Sequence, residues 1–589
     1  MINFIDYSEE YDLKRILKYL KGYYIQSVLA PTFKMLEAIF ELLVPLAVAA
    51  IIDKGINATP SPNKNMIFYM CGIMIALGVI GLISAVCAQF FAARAAVGVA
   101  TKVRSALFSH IQSFSYKVTD NVGTSTLITR MTGDINSMQT GVNMFLRLFM
   151  RSPFIVFGSM IMAFTISPKL ALIFLAVIIV LLAVVFGIML ISIPIYKRSQ
   201  SKLDKVVQKI RENYNGTRVV RAFGKEESEI SEFDSKNNAL TKIQLFAGRI
   251  SALMNPLTYV IINAAIILLL HRGAVSVNTP NGISQGELLA LYNYMSQILV
   301  ELIKLASLII TLNKAAASSR RVFDIMDIPA NEDRQISVEK SEDNNAVCFE
   351  NVSFKYHEGG DNAITEISFY AKKGETVGII GGTGSGKSTL INLIPAFYAP
   401  TSGNVFIYDK NASLYSKKEL TSLFGIVSQK AVLFKGTIRS NLLWGKADAT
   451  DEDLWKALSL AQADDFVREK GLDSQVEQGG NNFSGGQKQR LTIARALVRR
   501  PEILIFDDSA SALDYVTEAK LRYAISNLDY SPTVFIVSQR ASSMLHADKI
   551  IVLDDGEIVG MGKHDELLSN CEVYRDIYNS QFTEGGASV

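Results

Sequence analysis

The sequence predicts a multidomain chain. An all-α membrane domain of six spanning helices with long cytoplasmic extensions comes first, then an α/β domain built on a phosphate-binding loop. Three observations predict it. At 589 residues the chain is too long for one core, so two or more domains are expected. Its hydrophobic content of 49% is high for a soluble chain, and the long apolar runs fall in the first ~320 residues. Beyond them an apolar run meets a glycine-rich loop and then a helical pattern, the order of an α/β unit. The expected boundaries are 1–325 for the membrane domain, 326–345 for a linker, 346–580 for the α/β domain and 581–589 for a tail.

The N-terminal stretch to Lys21 is charged and lacks an apolar core with a small-residue cleavage site, so no cleavable signal peptide is expected. Within it, residues 11–17 have the amphipathic pattern of a helix lying on the membrane surface. Six runs long enough to cross a bilayer follow, near 22–52, 66–93, 142–166, 170–194, 250–271 and 286–312. Lys and Arg set the orientation. Segments 1–21, 94–141 and 197–249 hold 21 basic residues, against 4 in 53–65, 167–169 and 272–285. The first group is therefore expected on the cytoplasmic side, with both termini, and the external loops are short.

The cytoplasmic segments read as helical stalks. A helix running from the second span through residue 118 would project ~35 Å beyond residue 94. Such stalks suit a membrane part driven from a distance rather than a simple pore. Two stalk-tip segments, 124–134 and 215–223, are the expected contacts with the second domain.

Charges inside the spans need a reason, because burying them in lipid is costly. Lys34, Glu37 and Glu41 share one face of the first span. They either line a water-filled cavity that attracts cationic substrates or form a local ion pair against a neighbouring helix. Arg147 and Arg151 are expected to snorkel to the cytoplasmic interface.

Of the four cysteines, Cys71 and Cys87 lie on one predicted helix, ~24 Å apart and too far to bridge. Cys348 and Cys571 suit a reducing cytoplasm. A net charge of +3 is too small to argue for nucleic acid, and no such partner is expected.

The chemistry lies in the second domain. Thr376-Val377-Gly378-Ile379-Ile380 reads as a buried strand and runs into Gly381-Gly382-Thr383-Gly384-Ser385-Gly386-Lys387-Ser388-Thr389. This is a Walker A loop in its required context. Its glycines let backbone amides close around the phosphates of ATP, and the helix N-terminus adds positive potential. Lys387 is placed for the β- and γ-phosphates and Ser388 for Mg²⁺. Asp507 ends the apolar strand Ile503-Leu504-Ile505-Phe506 and fits the Walker B acid that holds Mg²⁺ through water.

Between these motifs stands Phe483-Ser484-Gly485-Gly486-Gln487-Lys488-Gln489-Arg490. It resembles the signature of ATP-binding-cassette proteins, with Phe483 in place of the usual Leu. The resemblance covers the whole chain, in the order of an exporter half-transporter. It implies that Tyr356 stacks on adenine and that Gln429 links the γ-phosphate and Mg²⁺ site to the membrane contacts. It implies that Ser511 and Asp514 form the D-loop, and that 215–223 is an intracellular coupling segment. Nucleotide domains of this family pair head to tail. Ser484, Gly485, Gly486 and Gln487 would then close over ATP held by another chain.

Two positions depart from the family pattern. Asp508 stands where Glu usually polarises the attacking water, and Gln539 where His usually contacts the γ-phosphate. Asp508 is a methylene short, which places its carboxylate about an ångström from where it is needed and can cost ~10²-fold in rate. Gln539 still hydrogen-bonds but carries no positive charge. Together they resemble the degenerate half of heterodimeric bacterial exporters. The expectation is a plasma-membrane subunit that effluxes small amphipathic compounds and pairs with a second half-transporter bearing the competent Glu and His. Its own Walker face would be the degenerate site. A peptide or lipid exporter subunit, or an ATP-gated channel or sensor, is the alternative.

Overall fold

The computed structural model describes residues 15–582 except 59–60, 280–281, 330–344, 358 and 510–511. It divides into two compact units. One comprises Met1–Gln112 and Thr124–Pro329, the other Ser113–Gly123 and Ala330–Val589.

The first unit is helical. Among the described residues, six helical stretches are long and apolar enough to cross a membrane: Tyr24–Ile56, Lys64–Gln112, Thr124–Ile166, Pro168–Ala222, Glu226–Val277 and Gln285–Met326. We call them M1 to M6. Local chemistry sets their ends. Pro168 opens M4 at the first turn, where a missing N–H costs nothing. Ser284 and Glu287 form a capping box at the start of M6. Pro31 and Pro45 sit inside M1 and Pro194 inside M4, as bundled membrane helices tolerate. M3 is not a uniform helix: wider turns at Arg130–Asp134 and Phe145–Phe149 interrupt it. Small residues of M2, among them Ala88, Ala92, Ala95 and Ala96, are fully buried, so backbones approach closely without large side chains. The larger core gathers Phe174, Leu181, Leu269, Tyr294 and Ile298 from M4, M5 and M6.

M2 stops at Gln112, not at residue 118. Ser115 then caps a separate short helix, α1 (Tyr116–Val122), by accepting from the Val118 amide at 3.3 Å. Ser113–Gly123 is grouped with the second unit, and 124–134 and 215–223 with the first.

The second unit is α/β. A six-stranded sheet has the order β12-β11-β3-β10-β9-β6. Its strands are β3 (Thr376–Gly381), β6 (Phe424–Val427), β9 (Ile503–Asp507), β10 (Thr533–Val537), β11 (Lys549–Asp554) and β12 (Glu557–Gly562). The pairs β3–β10, β10–β9, β9–β6 and β11–β3 are parallel, and β12 is antiparallel. A smaller antiparallel sheet, β2-β1-β4-β5, is built on β1 (Asn345–Phe354), β2 (Ile364–Lys372), β4 (Ser402–Ile407) and β5 (Lys410–Asn411), and β7 (Gly436–Thr437) pairs antiparallel with β8 (Gln475–Val476). Residues of both sheets and of helix α2 (Lys387–Leu393) share one core, which includes Val347, Phe349, Ile379, Leu390, Ile505 and Phe535. On the other face α3 (Gly485–Val498) and α4 (Tyr515–Ser526) join a second core with Leu491, Leu497, Phe506 and Leu521. The parallel strands β3, β9 and β10 end at Gly381, Asp507 and Val537. Ligands of open parallel sheets bind at such carboxyl ends.

Candidate nucleotide site

The glycine-rich loop leaves β3 and enters α2. Gly384 and Gly386 have φ of +86° and +93°, a region that favours glycine. A Cβ on Gly386 would stand 2.7 Å from the Ala363 carbonyl oxygen, so backbone closure also requires glycine there. Lys387 is buried, and its Nζ donates to the Gly381 and Gly382 carbonyls at 2.9 and 2.5 Å. Burial lowers the affinity of this amine for its proton, while Asp508 and Asp507 oppose that shift.

One cavity of about 410 Å³ is lined by Tyr356, the loop 383–389, Gln429, Asp507, Asp508 and Gln539. The Tyr356 hydroxyl lies 3.1 Å from Thr389 Oγ1, and its ring packs edge-on against Phe354. Ser388 Oγ donates to Asp507 Oδ1 at 3.5 Å. Gln429 Nε2 donates to Asp508 Oδ2 at 3.3 Å. Burial raises the Asp507 carboxyl above the usual range, the neighbouring Asp508 adds to that, and Ser388 and Lys387 oppose it. Asp508 is also raised, chiefly by burial. Its φ is +44°, which Asp tolerates better than most residues, and its amide donates to the Val537 carbonyl at 3.0 Å. The Gln539 side chain is exposed at the cavity, while the Gln539 backbone carbonyl accepts from Gln581 Nε2 at 2.8 Å. Ser388, Asp507 and Gln429 form an oxygen-donor set with one carboxylate. That fits Mg²⁺, which keeps waters and shares phosphate oxygens instead of demanding a full protein cage.

The signature stands away from this cavity. Ser484 caps α3: its Oγ accepts from the Gln487 amide at 3.3 Å, and Gln487 Oε1 accepts from the Ser484 amide at 3.0 Å. A Cβ on Gly485 would meet nothing within 4 Å, whereas one on Gly486 would stand 3.2 Å from the Ala512 oxygen. Asp514 caps α4 through the Thr517 amide at 3.1 Å. Ser511 lies outside the described residues.

Sequence reasoning missed Asn362, Ala363, Asp555 and Gly556, which also line the cavity. They come from turns before β2 and after β11 and carry no short-range motif. It also missed Tyr116 of α1, whose ring stacks on Phe397 with centroids 4.3 Å apart, beside a hydrogen bond from the Tyr398 hydroxyl to Asp120.

In the membrane unit, Lys34, Glu37 and Glu41 belong to an ion network. Lys34 pairs with Glu37 at 2.5 Å. Arg151 pairs with Glu41 and with Glu301, each at 2.6 Å, and Ser152 Oγ donates to Glu301 at 2.7 Å. Arg151 does not snorkel: it is 6% exposed, and Glu301 is 2% exposed. The wider turn at Phe145–Phe149 precedes Arg151, and carboxylates on two neighbouring helices hold it inside the bundle.

The family model of the ABC transporter transmembrane region matches residues 28–302, and the ABC transporter family model matches residues 364–511. The chain is also 34% identical to the uncharacterized ABC transporter ATP-binding protein YfiB of Bacillus subtilis, over 98% of this chain and 100% of that one. This chain belongs to the ABC transporter family. The putative multidrug export ATP-binding/permease protein YgaD of Bacillus subtilis is 31% identical over 97% of this chain and 99% of its own length. A solved bacterial Atm1-family ABC exporter with ATP bound shares the fold, with a TM-score of 0.80 and 22% identity over 95% of this chain and 100% of that one. The family assignment makes this a multi-pass membrane protein whose transport is coupled to ATP.

Proposed function

We propose that this ABC transporter chain is one subunit of a heterodimeric exporter in a bacterial plasma membrane. It couples ATP binding and hydrolysis to efflux of amphipathic compounds, and its own Walker face is the degenerate ATP site. The observation that carries this reading is Asp508. It occupies the site beside Asp507, within reach of Gln429, but with a side chain one methylene shorter than glutamate. The switch position beside it, Gln539, supplies no cation. The likeness to YgaD supports export of drug-like compounds.

The residues divide the work. Lys387 and the loop amides bind phosphate; Tyr356 offers its ring to the base. Ser388, Asp507 and Gln429 would hold Mg²⁺, which neutralises phosphate charge when bound. Asp508 would orient water poorly, so ATP stays long at this face. The signature from Ser484 to Gln487 would act on ATP held by the partner, where most hydrolysis occurs. Turnover there would shift the pair between inward- and outward-facing states through their different ATP affinities.

The test is the purified chain without a partner, in lipid nanodiscs. It should bind a fluorescent ATP analogue and hydrolyse little ATP. Lys387→Ala should weaken that binding, because the phosphates lose their main side-chain cation. Robust turnover by the chain alone would sink the heterodimer reading.

A further inference from the structure

The switch segment after β10 is held from two sides within the second unit. The chain there turns into a short 3₁₀ helix, Ala541–Ser543. Its first amide, on Ala541, is one that a helix leaves without an internal partner. Gln581 supplies the acceptor: its Oε1 accepts from the Ala541 amide at 2.8 Å. The same side chain donates from Nε2 to the Gln539 backbone carbonyl, also at 2.8 Å. A side-chain amide carries a donor and an acceptor side by side, and both are used here. The two anchored backbone groups flank Arg540. On the other side Arg540 Nη1 donates to Glu518 of α4 at 3.0 Å, and the Arg540 amide donates to Ser538 Oγ at 3.0 Å.

The position of Gln581 is itself fixed. It ends helix α5 (Glu572–Gln581). Tyr574, seven residues earlier and on the same face, is fully buried. It shares a core with Ile380 of β3, Ile550 and Val552 of β11, and Ala541 and Met544 of the switch turn. Its hydroxyl lies 2.8 Å from His564 Nδ1. Beyond Gln581, the Phe582 ring stacks on Tyr578 with centroids 4.5 Å apart. These contacts set the register of α5, and with it the reach of Gln581.

The Gln539 side chain lines the nucleotide cavity and has no hydrogen-bond partner among the described residues. Where it points therefore depends on how its backbone is held. Asp508 hangs on the same strand end, because its amide donates to the Val537 carbonyl at 3.0 Å. Small misplacements at such a site are costly. We infer that Gln581 is a positioning residue of the nucleotide site. Its amide fixes the backbone on both sides of Arg540, so that Gln539 meets the γ-phosphate, and helix α5 thereby helps to tell ATP from ADP. The inference rests on reading Gln539 as a γ-phosphate contact. It does not depend on whether the transporter is a heterodimer.

The test uses the full chain in lipid nanodiscs with Mg²⁺. A fluorescent ATP analogue is displaced by ADP and, separately, by β,γ-imido ATP, which cannot be hydrolysed. The readout is the ratio of the two affinities. Gln581→Met keeps the length and loses the amide. It should lower the preference for the triphosphate by about fivefold or more and leave ADP affinity at the parent value. Gln539→Ala should lower the same preference by at least as much. In the double variant Gln581→Met should add nothing, since it acts through Gln539. An unchanged ratio in Gln539→Ala would overturn the reading of Gln539, and the inference with it. An effect of Gln539→Ala with a silent Gln581→Met would overturn the inference alone. Additive losses in the double variant would show that Gln581 acts elsewhere. Equal weakening of ADP and of the triphosphate by Gln581→Met would reduce its role to holding the fold.

Discussion

Asp507 and Asp508 are adjacent carboxylates in a half-buried cavity, and that sets their chemistry. Both are pushed above the ordinary carboxylate range, mainly by burial, and Asp507 is pushed further by Asp508. A carboxyl whose folded-state value is raised favours the folded chain below its unfolded value, and that advantage is lost as pH rises through the folded value. At neutral pH the ionised pair therefore costs stability. Asp508→Asn removes one charge and should raise the melting temperature of the nucleotide-free chain at pH 7, an effect that fades toward pH 4. Thermal scans at the two values check it; equal shifts at both would show that the charge is irrelevant. The same position carries the strongest test of the degenerate-site reading. Asp508→Glu with Gln539→His restores length and charge, so ATP turnover by the chain alone should rise on the order of tenfold or more. A flat rate would mean that the deficiency lies elsewhere. The phosphate loop and the two acids sit in short, local patterns, the family resemblance added Tyr356 and Gln429, and all of them line one cavity. Asn362 and Asp555 were not legible, since only the fold brings their turns to the cavity.

At the scale of elements, the network around Arg151 ties M1, M3 and M6. Sequence spacing placed Lys34, Glu37 and Glu41 on one face but had no means of finding Glu301, 150 residues after Arg151. It also misjudged Arg151, because the wider turns in M3 reset which face of the helix follows them. Removing one member of a buried ion cluster leaves the others uncompensated. Arg151→Met should therefore destabilise the membrane unit by about 3 kcal/mol, since it leaves Glu301 to Lys304 and Ser152 among the described residues. Glu41→Gln should cost less, because the Glu41 side chain is 40% exposed against 3% for Glu301, and Arg151 keeps its Glu301 partner. Denaturation in detergent of the two variants and the parent compares them, and a larger effect from Glu41→Gln would refute the ordering. M2 ended six residues early for a similar local reason. Ser115 is a good N-cap, and it starts a new helix instead of continuing the old one.

The order of six spans and one nucleotide domain was legible from hydropathy and motif alone, because bilayer thickness and phosphate chemistry constrain local sequence. How two such chains share their sites is a property of the assembly, and the signature is where it can be tested. Ser484→Ala removes a helix cap and should cost about 1 kcal/mol of stability, so it mixes folding with function. Gly485→Ala separates them. A methyl group there meets nothing within 4 Å in this chain, so the fold and ATP binding at its own Walker face should be unchanged. In the proposed head-to-tail pair, however, that glycine faces ATP held by the partner. ATPase of the reconstituted pair should then fall on the order of 10²-fold, since a small misplacement at a closing phosphate site is enough. Asp508→Asn should lower the rate of the same pair only modestly. Replacing the partner's water-orienting carboxylate should abolish turnover. Rates for the three pairs and for the parent decide the matter. If Asp508→Asn is as damaging as the partner's change, Asp508 is catalytic. If Gly485→Ala is silent while the partner's change is not, the signature of this chain does not complete the competent site.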